Sequence, residues 1–144
     1  MMPTLNNNDG VGRRDTIQQQ SIITNSLKNL YITKSTEDDF IFVRNDYKTL
    51  KVKIADITYI EGSGNYVLIH TPKGKIMVLQ NLKKFEEQLP SLQFIRVHKS
   101  FIISLRHIES IEKGWILIDK KEIPIGYSYR ETFQQFLNKN YRQF

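Results

Sequence analysis

From Phe40 onward the chain consists of short segments in which polar and apolar residues alternate, as they do in β-strands. Lys51 to Ile54 alternates with a period of two, and Pro72-Lys73-Gly74 separates two such segments as a hairpin turn would. The predicted strands are 40–44, 47–54, 57–61, 66–71, 75–80, 94–104, 107–112, 115–119 and 122–125. The pattern therefore predicts a mainly β, mostly antiparallel domain.

Two short segments instead show the spacing of amphipathic helices. The first begins after Asn81, a good N-cap residue, and Pro90 ends it. Ser128 and Glu131 have the spacing of a capping box and predict that Ser128 caps the second helix. The apolar faces are Leu82, Phe85 and Leu89 in the first helix, and Phe133, Phe136, Leu137 and Tyr141 in the second.

The first 38 residues differ in composition from the rest, which predicts an N-terminal arm (1–38) followed by a domain (39–144). Residues 1–14 are rich in Asn and Gly and predict a flexible tail, and 33–39 is polar and acidic like a linker. Between them, 16–31 has the spacing of an amphipathic helix. Because its apolar stripe is modest, this helix needs a partner surface, either on the domain or on a second copy in a homodimer.

Composition limits the possible secondary structure, cellular location and partners of the protein. Ile occurs 19 times and Ala once, which favours strand over helix. With no cysteine there is no disulfide, and without a long apolar run we expect no membrane span and a cytoplasmic protein. The net charge of +6 indicates an anionic partner, of which nucleic acid is the first candidate and an anionic membrane surface the second.

No residue constellation predicts catalysis, a cofactor or a metal site. The loop Gly62-Ser63-Gly64-Asn65 lacks the third glycine and the Lys-Ser/Thr of known phosphate-binding loops. His70, His98 and His107 have no suitably spaced partners and are expected to form hydrogen bonds at strand surfaces. We therefore expect a binding protein and not an enzyme.

Three polar clusters are candidates for nucleic-acid contact, and each has an ordinary structural alternative. Arg96, His98, Lys99 and Ser100 interrupt an apolar segment at mid-strand or at a strand break, but they equally fit a solvated lysine and a surface ion pair. Ser128 and Arg130 would place charge at a helix N-terminus, unless capping alone satisfies its amides. Asn65 and Tyr66 could reach a base edge, although a plain hairpin connection explains that loop better.

Three ordered stretches resemble a known family. They are DITYIEGSGNYVLIHT, NLKKFEEQLPSLQFIRVHKSFIISLRHIESIE and IPIGYSYRETF, within residues 40–137. The region resembles a LytTR-type DNA-binding domain, the output module of many bacterial two-component response regulators. The resemblance implies an elongated assembly of small antiparallel β-sheets whose loops enter neighbouring major grooves of promoter DNA, usually at direct repeats and with bending of the DNA.

The resemblance also implies roles for individual residues. Base-reading positions fall at Tyr66, Lys99 and Ser128. Phosphate-contacting or supporting positions are Ser63, Asn65, Asn81, Lys83, Arg96, His98, Ser100, Tyr127 and Arg130. Where the family often has Ser-Arg this chain has Gly126-Tyr127, so the third contact lacks that arginine.

Such domains usually follow a receiver domain, and the 38 residues before Asp39 are too few for one. The chain is therefore expected to be a stand-alone regulator or a piece of a longer one, with a sensor or receiver as a further partner. Two alternatives stay open. One is a protein-interaction module of the same fold that modulates a partner regulator, and the other is an RNA-binding domain stacking bases on Tyr66, Tyr127 and Tyr129.

Overall fold

The computed structural model describes residues 39–144. The predicted tail, the helix at 16–31 and nearly all of the linker lie outside these residues.

Within residues 39–144, ten strands form three antiparallel sheets. The first is the hairpin of β1 (Phe40–Asn45) and β2 (Lys48–Lys53). The central sheet contains β3 (Tyr59–Ser63), β4 (Tyr66–Thr71), β5 (Gly74–Val78), β6 (Phe94–His98) and β7 (Phe101–Ser104), in the order β5-β4-β3-β7-β6. The third contains β8 (Ser110–Glu112), β9 (Trp115–Ile118) and β10 (Lys121–Pro124), with β9 in the middle.

Two helices and three short 3-10 turns complete this part of the chain. Helix α1 (Leu82–Gln88) connects β5 to β6, and α2 (Arg130–Asn140) follows β10. The 3-10 turns are Ile54–Asp56, Leu105–His107 and Tyr127–Tyr129. Neither helix has the length and apolarity that a bilayer-crossing segment would require, among residues 39–144.

The central sheet separates two hydrophobic cores because successive side chains of a strand point to opposite faces. Ile60 and Ile102 pair across β3 and β7 and belong to the first core, with Val43 and Val52 of the hairpin and Phe85 of α1. Tyr59 and Ile103, one position along each strand, belong to the second core. The second core also contains residues of the third sheet and of α2, namely Ile116, Ile118, Ile123, Phe133 and Leu137.

The sequence prediction of a mainly β fold with small antiparallel sheets and two short helices is confirmed. Asn81 caps α1 as predicted, since its side chain accepts a hydrogen bond from the Lys84 N–H at 2.9 Å. The histidines form the expected hydrogen bonds: His70 with Glu61, His98 with the Ser100 N–H, and His107 with the Ala55 carbonyl.

Several local predictions were wrong, and two of them concern the segments that carry Lys99 and Ser128. The segment 94–104 is not one strand, because β6 and β7 are separate and a turn at Lys99-Ser100 joins them. Ser128 does not cap α2, which begins at Arg130 after a 3-10 turn. The Tyr129 N–H donates to the Gly126 carbonyl at 2.8 Å and the Arg130 N–H to the Tyr127 carbonyl, so backbone groups satisfy these amides in place of the Ser128 hydroxyl.

Candidate nucleic-acid interface

The turn between β6 and β7 carries Lys99 and is built around His98. The pairing register of the two strands shifts between Arg96 and His98, which is a β-bulge. The Ser100 N–H donates to His98 Nδ1 at 3.0 Å, and the His98 ring lies 5.6 Å from the ring of Phe101. Because Nδ1 accepts this bond, the His98 imidazole joins the end of β6 to the backbone of Ser100 and so stabilises the turn.

The Arg96 guanidinium supports the same turn by binding two of its carbonyls. Its Nε donates to the His98 carbonyl at 3.1 Å and one terminal nitrogen donates to the Lys99 carbonyl at 2.6 Å. The other terminal nitrogen forms an ion pair with Glu86 Oε1 on α1 at 3.0 Å. The Lys99 side chain remains exposed while its backbone is fixed to two elements.

The β3–β4 hairpin lies beside this turn. Ser63 and Tyr66 are paired at its end, and Gly64, with a φ of 65°, lies in the connecting turn next to the exposed Asn65. The Gly62 N–H donates to the Ser100 carbonyl at 2.8 Å. This bond fixes the hairpin end against the Lys99 turn.

Helix α1 begins against the same hairpin. A Cβ atom at Gly62 would lie only 3.0 Å from Leu82 Cδ1, so the backbone of β3 and the first residue of α1 are in close contact. Asn81 and Lys83, on either side of Leu82, are both exposed. Glycine at position 62 therefore allows the helix start to approach the two turns.

These three elements enclose an open groove of about 330 Å³, which we call the reading groove. Its polar lining brings together seven of the residues that the sequence predicted: Ser63, Tyr66, Asn81, Lys83, Arg96, Lys99 and Ser100. The lining contains no Asp or Glu. A groove with lysine ammonium groups, hydroxyls and amides and no lining carboxylate has the chemistry to bind phosphates and base edges.

The remaining predicted residues lie outside the lining of this groove. The turn before α2 adjoins the end of β6, since the Gly126 N–H donates to the Val97 carbonyl at 2.7 Å. Ser128 is exposed there, and so is Tyr127, with 87% of its surface accessible. The Arg130 guanidinium carbon lies 5.6 Å from the Tyr127 ring centroid, and Arg130 Nε donates to the Ile125 carbonyl at 3.3 Å.

Sequence reasoning missed two contributors to this geometry. Glu86 is an exposed residue of α1, yet its carboxylate forms the ion pair that anchors Arg96. Gly62 was assigned only to a loop, whereas it lies on β3 and supports both the turn contact and the helix contact. Both roles depend on contacts between segments that are distant in sequence, and no local pattern signals them.

Two titratable groups with shifted pKa values lie on the central sheet outside the reading groove. Burial lowers the pKa of His70, and the adjacent Glu61 carboxylate at 3.1 Å opposes that shift only in part. Burial also raises the pKa of the Tyr59 phenol, whose ring stacks on His70 with centroids 4.0 Å apart.

Comparison with known proteins shows the family and the fold of the chain. Residues 47–138 match the family model described as the LytTr DNA-binding domain. The chain belongs to the LytTr DNA-binding domain family. The solved LytTr DNA-binding domain of a Bacillus cereus protein, described as a methyl-accepting/DNA response regulator, has the same fold: the TM-score is 0.62, the identity 23%, and the match covers 69% of this chain and 97% of that one.

Three proteins named as transcriptional regulators are similar to this chain in sequence. The transcriptional regulatory protein YpdB of Escherichia coli is 28% identical over 113 residues, which are 74% of this chain and 46% of YpdB. LytR of Staphylococcus aureus is 27% identical over 103 residues, covering 67% of this chain and 42% of LytR. The CO-responsive transcriptional regulator RcoM of Rhodospirillum rubrum is 33% identical over 82 residues, covering 52% and 35%. The chain thus spans less than half the length of these relatives.

Proposed function

We propose that this chain binds double-stranded promoter DNA in a sequence-specific manner, acts as a transcriptional regulator in the cytoplasm, and has no enzymatic activity. The observation that carries the proposal is the reading groove, where Tyr66 and Lys99 from two linked turns lie together with Asn81 and Lys83 at the start of α1. The chain's membership of the LytTr DNA-binding domain family supports the same function.

Within this proposal, Tyr66 and Lys99 read base edges in one major groove. The Lys99 ammonium group can donate to the O6 and N7 atoms of guanine, and the Tyr66 hydroxyl can donate or accept. Ser63, Asn81, Lys83 and Ser100 contact the phosphates that flank those bases and so set the register of the protein on the duplex. Arg96 and His98 support the Lys99 turn from behind, and Asn65 supports the hairpin.

The turn before α2 supplies the third base-reading position through Ser128. Arg130 lies against the exposed Tyr127 ring, which places a cation beside the position where the family often has arginine. A cation over an aromatic face is held in one orientation at little entropic cost, and it remains available to a phosphate. We therefore assign Arg130 to a phosphate contact and Tyr127 to its support.

Partners other than the promoter follow from the same proposal. Direct repeats in the DNA would suit binding by two copies, with the helix at 16–31 joining them in a homodimer. A sensor or receiver protein would supply the regulatory signal. The RNA-binding alternative is less well supported, because Tyr129 packs on the second core and its Cδ2 would lie 3.0 Å from a Cβ atom at Gly126.

Selection of bound fragments from a random duplex pool tests the proposed function. We expect a recurring sequence motif after several rounds, and we expect duplex carrying this motif to displace bound probe better than single-stranded RNA does. Equal enrichment of all sequences, or stronger competition by the RNA, would contradict sequence-specific binding to duplex DNA.

A further inference from the structure

A second basic groove lies at the opposite end of β4 from the reading groove. It has a volume of about 440 Å³, and its lining includes Lys51, Lys53, Lys73 and Lys75, which together we call the lysine groove. Tyr66 begins β4 at the reading groove and Thr71 ends it at the lysine groove. At about 3.3 Å per residue, five steps along the strand separate Tyr66 from Thr71 by roughly 17 Å.

The walls of the lysine groove come from two rigid elements. In β2, Val52 is buried in the first core, so the flanking Lys51 and Lys53 side chains point outward. The β4–β5 turn carries Lys73, and the Thr71 hydroxyl fixes it by donating to the Gly74 carbonyl at 2.8 Å and accepting from the Lys73 N–H at 3.2 Å. The four ammonium groups are therefore mounted on backbone that is held in place.

The charges of these lysines are largely uncompensated. Asp56 is the single carboxylate in the lining. Among residues 39–144, neither the Arg96–Glu86 ion pair nor the contact of His70 with Glu61 involves a lysine of the groove. The Lys51 ammonium lies 4.2 Å from the Phe40 ring centroid, which is a cation–π contact and leaves its charge in place. A cluster of this kind attracts a polyanion.

The chemistry of the cluster favours a phosphodiester backbone over a compact ligand. All four lysines are exposed, and exposed lysines act as mobile point charges that suit a row of phosphates. The roughly 17 Å between Tyr66 in the reading groove and Thr71 in the lysine groove is about half of the 34 Å helical repeat of B-DNA. A duplex read at one end of β4 can therefore present phosphates at the other.

We propose that the lysine groove binds the phosphate backbone of the same duplex, outside the bases that the reading turns contact. This inference rests on the proposed function, and it lengthens the stretch of DNA that the domain contacts. The lysine groove supplies affinity without sequence information, and it holds flanking DNA against the domain.

The test compares Lys53→Gln/Lys73→Gln with the control Lys139→Gln/Arg142→Gln in the full chain, using a duplex selected from a random pool. The control removes the same charge at exposed positions at and after the C-terminal end of α2. Each lost phosphate contact should flatten the slope of log K against log salt by about 0.9 and weaken binding about fivefold at 0.15 M salt. We expect a slope change near 1.8 for the groove variant and little change for the control.

Ethylation interference then locates the contact. With the wild type, ethylated phosphates outside the selected motif should block binding, and with the groove variant the same phosphates should no longer matter. Equal affinity, salt slope and interference pattern for both variants and the wild type would overturn this inference alone. Failure of the wild type to select any duplex would overturn the proposed function and this inference together.

Discussion

Arg96 shows how one side chain organises the candidate site. Its guanidinium binds the carbonyls of His98 and Lys99 and also the carboxylate of Glu86, so it uses its donors to fix backbone instead of facing a ligand. Arginine suits this task because its planar fork donates in several fixed directions. Lys99, with only its backbone restrained, remains the exposed cation of the turn.

Replacing Lys99 by alanine should weaken binding to the selected duplex by about 1–3 kcal/mol if Lys99 reads a base edge. The loss should be smaller on unrelated duplexes, because they lack the base that Lys99 recognises. Titration of both duplexes with the variant, and with Lys139→Ala as the matched control, checks this. Equal weakening on all sequences would assign Lys99 to phosphate instead.

The lowered pKa of His70 makes the stability of the domain dependent on pH. In the unfolded chain His70 takes up a proton near its ordinary pKa of 6.5, whereas in the folded sheet burial resists that proton. The unfolded state then binds more protons, so the free energy of unfolding falls as the pH is lowered through 6.5. Above that pH the contribution of His70 is fully present.

Urea unfolding at pH 7.5 and pH 5.5 checks this contribution. We expect the wild type to lose more stability over that interval than His70→Gln, which keeps a hydrogen-bonding group but cannot titrate there. Parallel losses in the two proteins would show that His70 does not carry the dependence.

At the scale of elements, the sequence predicted those features that depend only on neighbouring residues. The Asn81 cap, the apolar face of α1 and the Pro72-Lys73-Gly74 turn depend on residues close in sequence, and the structure confirms them. The break between β6 and β7 has no glycine or proline, and it depends on Arg96 and His98 binding the turn backbone. Apolar residues on both sides therefore made 94–104 look like a single strand.

The predicted start of α2 was wrong because contacts outside the local pattern decide it, as they do for the break between β6 and β7. Ser128 and Glu131 have the spacing of a capping box, but a 3-10 turn supplies backbone acceptors first. The convergence of Tyr66 and Lys99 also lay beyond local patterns, since it depends on the bond from Gly62 to Ser100. Only the resemblance of three ordered stretches to a family linked those positions before the fold was known.

The cap of α1 provides a prediction at this scale. Asn81→Ala should lower the free energy of unfolding by about 1 kcal/mol, because the Lys84 N–H loses its acceptor. Asn81→Ser should retain most of the stability, since serine caps nearly as well. Chemical denaturation of the three proteins measures both effects. Equal stability of the alanine and serine variants would mean that the cap contributes nothing.

For the whole molecule, the two cores on either face of the central sheet are formed by residues from Val43 to Leu137. The helix predicted at 16–31 lies outside the residues that the structure describes. The sequence prediction of a homodimer through this helix remains a prediction.

Removal of residues 1–36 tests the homodimer. We expect the full chain to have the mass of a dimer in light scattering, and the shortened chain to be folded and monomeric because it retains both cores. Circular dichroism confirms the fold of the shortened chain. A full chain that is strictly monomeric, with unchanged mass per chain after the removal, would contradict dimerisation through this segment.

The close approach of Gly62 to Leu82 has a consequence for the evolution of the family. A Cβ atom at position 62 would lie 3.0 Å from Leu82 Cδ1, which is closer than ordinary van der Waals contact. The size of the side chain at position 62 is therefore linked to the size of the side chain at position 82. In homologous chains a residue larger than glycine at position 62 should therefore accompany a side chain shorter than leucine at position 82.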